Sequence, residues 1–194
     1  MGIGAGLIEQ EVAVLGRFPR IGLGLRACSA DQIVRDLEEG RLDLGLLRRQ
    51  EVPRGLWSRP LLRYGFILAA PRARLPRQRR ARLEEVLRTL PLALVDNEPD
   101  LLEPVLACAD GPLKVPLSCE TFPQALTALR TLRCAAVLPT LALSELPRSH
   151  FAILEVPAMP VAALSLVARP SFEAASPAGH AFALELARAL RREG

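Results

Sequence analysis

The chain has 194 residues, half of them apolar, which is enough to build a buried core in one or two compact units. Its net charge of +4 is modest for that length and excludes a disordered polyelectrolyte. No apolar run reaches the ~18 residues of a membrane span, and the opening MGIGAGLIEQEVAVLG lacks the basic start of a signal peptide. A soluble, cytoplasmic protein with no membrane partner is the expectation.

In chain order, a short strand is predicted at Ile3–Gly6 and a helix at Leu7–Leu15, with Ile8, Val12 and Leu15 on one face. Residues 21–47 are the most informative stretch. They read as a strand (Ile21–Leu25), a helix (Ala30–Glu39) and a second strand (Leu42–Leu47), together a βαβ unit. Ser29 is placed as N-cap with Gln32 three residues on, a capping-box spacing, and Gly40 as the left-handed stop. Ala30, Ile33, Val34 and Leu37 supply the helix's apolar stripe.

Tyr64–Ala70 follows as an apolar strand, then an arginine-rich link, a short helix at Leu83–Leu87 and a strand at Leu92–Val95. Asp96 or Asn97 can cap a helix starting near Pro99, with Leu101, Leu102, Val105 and Leu106 on its buried face. Val115–Leu117 reads as a strand, and Thr121 with Gln124 repeats the capping-box spacing ahead of the next helix. Strands at Ala135–Leu138, Ile153–Val156 and Leu164–Ala168 precede a closing helix capped by Ser176, with Pro177 in its first turn and Phe182, Leu186 and Leu190 facing inward. The alternation predicts an α/β fold of two similar lobes, each a parallel-rich sheet with helices on both faces. Ligands in such sheets sit where strands end and helices begin.

Chemistry-bearing motifs are absent. No GxSxG, HExxH, P-loop or GxGxxG lies in the required strand–turn–helix setting, and His150 and His180 lack neighbours at metal-ligand spacing. Cys28, Cys108, Cys119 and Cys134 are scattered without a CxxC and read as free thiols rather than redox or metal groups. No enzyme, cofactor or metal is expected. Six arginines between Arg72 and Arg82 form a basic run without interleaved aromatics, which reads as a solvated face ahead of a nucleic-acid site. Asp43 enters its strand from a tight turn, where backbone or Arg41 hydrogen bonds are its expected partners. Arg48 stands at the other end of that strand, facing either solvent or a ligand.

Several segments, in order, resemble the effector-binding domain of LysR-type transcriptional regulators. Leu37, Gly40, Leu42-Asp43-Leu44-Gly45 and Leu47 match that family's "L…G.lDlai" core; Gly55, Leu56 and Pro60-Leu61 match its "gl…pL" step. Arg74-Leu75-Pro76 falls at its "HPLA" segment, Val137-Leu138-Pro139 at its "GxGialLP" strand and Ser176-Pro177-Ala178 at its C-terminal "spa". The resemblance runs over essentially the whole chain and departs at Leu132, Cys134 and Arg74, where the family has glycine, glycine and histidine.

What the resemblance implies is a two-lobed fold of the type II periplasmic-binding-protein architecture, with Rossmann-like lobes at 1–69 plus 157–194 and at 70–156. A small effector, often a carboxylate or aromatic metabolite, would bind between the lobes. The domain would act in a homo-oligomer, and DNA would be read only through an N-terminal helix-turn-helix that these residues do not include. The sequence then reads as part of a longer regulator; a free-standing cytoplasmic metabolite-binding protein is the alternative. By matching position, Ala5 and Gly6 fall in the first effector loop, Cys28 and Ser29 in the second, and Arg48 at an arginine that contacts carboxylates in some members. Asp96 and Asn97 fall in the first loop of the other lobe and Thr121 at the start of its next helix. Ser29 and Thr121 are N-caps and effector contacts on these two readings, and one hydroxyl can serve both.

Overall fold

A computed structural model describes Val14 and residues 16–26, 28–75, 82–96, 98–114, 117–131 and 134–191. The expected elements at Ile3–Gly6 and Leu7–Leu15 lie outside these residues except for Val14, which is helical and buried. The chain divides into two units: a central one, Gly65–Val161, and a flanking one made of residues before Gly65 and from Ala162 onward. The expected divisions after residues 69 and 156 are both displaced into the central unit. The passage occurs at Gly65, which splits the strand expected at Tyr64–Ala70 into two that belong to different sheets.

The flanking unit carries a three-stranded sheet in the order β1-β8-β2, with β1 at Leu44–Arg48, β2 at Trp57–Tyr64 and β8 at Ala162–Ala168. Both pairings are antiparallel. This corrects the expectation of a parallel βαβ unit here. Ile21–Leu25, the supposed first strand, is not a strand, and Leu23 and Leu25 are exposed. Gly22 and Gly24 supply no side chain to a packed face, which leaves two of the five residues with nothing to bury, and neither has an atom near its would-be Cβ. β2 escaped prediction because arginines and Pro60 break its apolar pattern; the register slips between Pro60 and Leu62, where proline has no N–H to give.

Helix α1, Ala30–Glu38, lies against β1. Leu37, Leu47 and Val167 form the buried centre of their contact, with Ala30, Ile33, Val34 and Leu42 packed around it. Gly45 permits the approach: a Cβ there would sit 2.5 Å from Ile33 Cγ2, 3.2 Å from Val167 and 3.3 Å from Leu37. The turn between helix and strand is held by a carboxylate. Asp36, 3% exposed, receives Arg41 Nε at 2.8 Å, Arg41 Nη2 at 2.6 Å and Gln32 Nε2 at 2.6 Å. Its own carbonyl accepts the N–H groups of Arg41 and Leu42, while Gly40 turns the chain at φ +76. Arg41 therefore serves Asp36 and Glu39, not Asp43, which is exposed.

Near the chain ends, Phe18 stacks edge-on against Phe182 of the closing helix. In the same region Arg17 pairs with Glu185 at 3.0 Å.

The central unit holds a five-stranded sheet in the order β5-β4-β6-β3-β7, comprising Leu117–Cys119, Leu92–Val95, Ala135–Pro139, Phe66–Pro71 and Phe151–Leu154. β4 is parallel to β5 and β6, whereas β3 is antiparallel to β6 and β7, so parallel-rich describes one half of this sheet only. β5 and β7 are each shifted by about one pleat from their expected positions, and residues 115 and 116 lie outside the description. Helix α2 spans Leu83–Thr89, α3 spans Leu102–Ala107 and α4 spans Phe122–Thr131. Leu101 and Val105 are buried, but Leu102 and Leu106 face solvent, because a helix of fewer than two turns has room for only a narrow inward stripe. Ala125, Leu126, Ala128 and Leu129 of α4 join Ile67, Ala93, Ala136 and Leu138 of the sheet in one core. Two further helices, α5 (Phe172–Ala175) and α6 (Pro177–Arg191), close the flanking unit, with Phe182 and Leu186 buried as expected; the Leu190 side chain is outside the description.

Gly45→Ala should cost about 1–3 kcal/mol of stability by overpacking the α1–β1 contact, read from the urea midpoint; an unchanged midpoint would show that the contact is loose. Arg41 holds the Asp36 carboxyl below its ordinary value of 3.8, against the opposing push of burial and with help from Gln32. Its charged form therefore stabilises the fold above that value, and the contribution is lost as pH falls toward the lowered one. Denaturation midpoints at pH 7 and pH 3 should diverge more in the native chain than in Asp36→Asn.

Candidate functional site

In the flanking unit, α1 and β1 run in opposite directions on either side of the Asp36 turn. Cys28 and Ser29 stand at the start of the helix and Arg48 at the end of the strand that packs on it. Ser29 caps α1 by accepting the Gln32 N–H at 3.3 Å. The other half of the expected box is not formed, since the Gln32 side chain turns to Asp36 and Arg35 instead. Cys28 is a half-buried free thiol just before the cap.

Arg48 closes β1 in register with Leu164 of β8. Its guanidinium is held by Glu51, with Nε at 3.0 Å and Nη2 at 2.8 Å from Oε1. The second carboxylate oxygen of Glu51 accepts the Arg48 main-chain N–H at 3.1 Å. Both side chains are about one quarter exposed, at 23% and 27%. Arginine offers donors in a planar fork suited to carboxylate or phosphate, and here a carboxylate of the same chain occupies that geometry. The sequence reading missed Glu51, although its three-residue spacing from Arg48 was visible.

In the central unit, the parallel pairing of β4 with β5 sets Val95 opposite Cys119. Asp96 and Thr121 consequently emerge side by side at the carboxyl ends of the strands, where open α/β sheets hold ligands. The Asp96 N–H donates to the Cys119 carbonyl at 2.9 Å, and the Ser118 hydroxyl donates to the Asp96 carboxylate. Asp96 is thus bound back to β5 rather than seen capping a helix. Thr121 is a full capping-box residue: its hydroxyl accepts the Gln124 N–H at 3.4 Å, and Gln124 Oε1 accepts the N–H groups of Thr121 and Glu120. Pro123 has no N–H, so the first turn of α4 has few donors left for an anion. Ala5, Gly6 and Asn97 lie outside the described residues, as do Leu132 and residue 133.

The remaining reactive side chains have structural surroundings. Cys119 and Cys134 are buried, and burial pushes both thiols above their ordinary pKa, away from reactive thiolates. His180 lies edge-on to Trp57 and Phe172, with Glu173 Oε1 3.7 Å from its Nδ1. Arg72 donates to the Arg148 carbonyl at 2.6 Å, tying the start of the basic run to the turn before β7. Among the described residues no three His, Cys, Asp or Glu side chains cluster as a metal site would require. No described helix is long and apolar enough to cross a membrane.

Comparison with known proteins yields a consistent picture. No curated protein matches in sequence. Among solved structures, the reduced form of OxyR from N. meningitidis superposes with TM-score 0.70 at 18% identity, covering 98% of this chain and 91% of that one. A full-length OxyR variant from Pseudomonas aeruginosa gives 0.72 at 18%, covering 97% of this chain and 66% of that one. An OxyR cysteine variant from Corynebacterium glutamicum gives 0.68 at 17%, and there the match covers 98% of this chain but only 62% of its counterpart. At such identities the likeness is one of fold, the two-sheet α/β architecture of LysR regulatory domains with the periplasmic-binding-protein-like type II fold. The family model described as the LysR substrate binding domain matches residues 12–191. The chain therefore belongs to the LysR substrate-binding-domain family, as an effector-binding domain of the LysR type.

Proposed function

We propose that this chain is the sensing part of a LysR-type regulator of transcription, binding a small effector without transforming it. The match of the family model across residues 12–191 carries this reading. Its regulatory character also accounts for a site composed of caps, an ion pair and a buried turn rather than of a nucleophile and base. The regulator works in the cytoplasm as a homo-oligomer, and DNA is contacted through a separate N-terminal helix-turn-helix. Sensing is then a difference in effector affinity between two arrangements of the protein, typically ~1–3 kcal/mol.

The candidate contacts are Ser29 and Arg48 in the flanking unit and Asp96 and Thr121 in the central unit, with Ala5, Gly6, Cys28 and Asn97 as further positions taken from the family resemblance. Arg48 is the anchor for an anionic effector because its fork suits a carboxylate and because it stands at the same end of the unit as the α1 cap.

A thermal-shift screen of this chain against a panel of carboxylate and aromatic metabolites tests the reading. At least one should raise the melting temperature, and Arg48→Ala should weaken binding of an anionic hit by tenfold or more, on the order of the ~1.5–3 kcal/mol of a charged hydrogen bond. If no metabolite stabilises the chain, sensing is wrong; if an anionic hit binds Arg48→Ala equally well, the Arg48 assignment is wrong.

A further inference from the structure

Glu51 is a residue of this site that neither the family resemblance nor the motif analysis assigns. It takes two guanidinium contacts of Arg48 on one oxygen and the Arg48 main-chain N–H on the other. The pair spans only three residues and closes the turn Arg49–Glu51, so the carboxylate is always at hand for its arginine. With both side chains about three quarters covered, their attraction is less screened than that of a surface pair.

Resting on the effector-sensing reading, we propose that Glu51 is a built-in competitor for the anionic group of the effector at Arg48. Until the ligand arrives, the charge of Arg48 is balanced from within the chain. A neutral molecule gains nothing by displacing Glu51, because it would leave a partly buried carboxylate without its cation. An anion that delivers its own oxygens to the guanidinium replaces one charged partner with another and releases Glu51 toward solvent. The internal carboxylate thereby lowers the affinity of the site for a carboxylate-like or phosphate-like group, which must displace it, and leaves that for a neutral analogue, which does not contest the guanidinium, unchanged. The exchange also has a mechanical consequence: Glu51 is held to the Arg48 main chain, so its release loosens the turn that leads from β1 toward β2. The arrival of an anion is thus converted into a change in backbone restraint.

The test uses sodium benzoate and benzamide as an anionic and neutral pair, titrated at constant ionic strength into the 194-residue chain. Binding is measured by titration calorimetry in every variant, and in the chains that keep Arg48 its Nε–H signal in proton–nitrogen spectra reports where the ligand sits. Glu51→Gln keeps an oxygen able to accept the Arg48 N–H, and a circular-dichroism melt checks that it folds. Glu51→Gln should bind benzoate about tenfold more tightly than the native chain, with benzamide unchanged; Glu51→Ala should shift in the same direction, and Arg48→Ala/Glu51→Gln should lose the gain. Equal benzoate affinity with and without Glu51, a gain that survives removal of Arg48, or an equal gain for benzamide would each overturn the proposal. A metabolite that stabilises the native chain while Glu51→Gln leaves benzoate binding unchanged removes the role of Glu51 and leaves sensing intact. A Glu51-dependent benzoate gain with no stabilising metabolite does the reverse.

Discussion

The geometry of the flanking unit depends on one nearly buried carboxylate. Asp36 closes the end of α1 twice, with its carbonyl on the N–H groups of Arg41 and Leu42 and its side chain on the Arg41 guanidinium. A charge taken out of water must be paired and hydrogen-bonded or it destabilises the fold. Here three donors converge on one oxygen. The chain is thereby obliged to reverse, and β1 runs back along the helix that precedes it. Gly45 lets the two elements come close, and Leu37, Leu47 and Val167 bury the contact. The capped start of α1 and the Arg48–Glu51 pair lie away from the Asp36 turn, at the beginning of the helix and the end of the strand. Asp36 holds the turn between the two elements, and the Arg48–Glu51 ion pair follows the end of β1.

The two ion pairs differ in ways that suit these roles. Asp36 is 3% exposed and serves two side chains and two main-chain groups, so removing a partner strands a buried charge. Arg48 and Glu51 are each about a quarter exposed and lie three residues apart. Solvent can reach such a pair, so breaking it costs far less desolvation than breaking the Asp36 pair, which is what the proposed exchange with a ligand anion requires. In the central unit, Asp96 and Thr121 share a sheet end through the parallel register of β4 and β5, but their polar groups are engaged with Ser118, Cys119 and Gln124. That end offers hydrogen-bonding shape rather than net positive charge.

Much of this was legible in the residues because the cues are local. Ser29, Thr121 and Ser176 cap helices where hydroxyl spacing indicated, and Gly40 adopts the left-handed stop that no β-carbon-bearing residue accepts easily. The family was legible because the order of many weak segments is more specific than any one of them, and the match across residues 12–191 agrees. What escaped depends on pairing in space. Nothing in IGLGL reveals that its glycines leave it out of a sheet, nor does an unbroken apolar run disclose that Gly65 divides it between two sheets. Arg41, one of the partners expected for Asp43, is delivered by the turn geometry to Asp36 five residues back. The Glu51 partner was missed because Arg48 was treated as the end of a strand and not as the start of a turn.

The central claim is that effector binding is read at the start of α1, at Ser29, and at the end of β1, at Arg48. Hydrogen exchange of the 194-residue chain, with and without a metabolite that stabilises it, addresses this most directly. Binding should slow exchange in the first turn of α1, Ala30–Ile33, and change it at the Arg49–Glu51 turn, while the Asp36–Leu42 turn at the opposite end stays constant. Protection confined to that opposite turn, or changes that leave both the α1 start and the Arg49–Glu51 turn untouched, would contradict it.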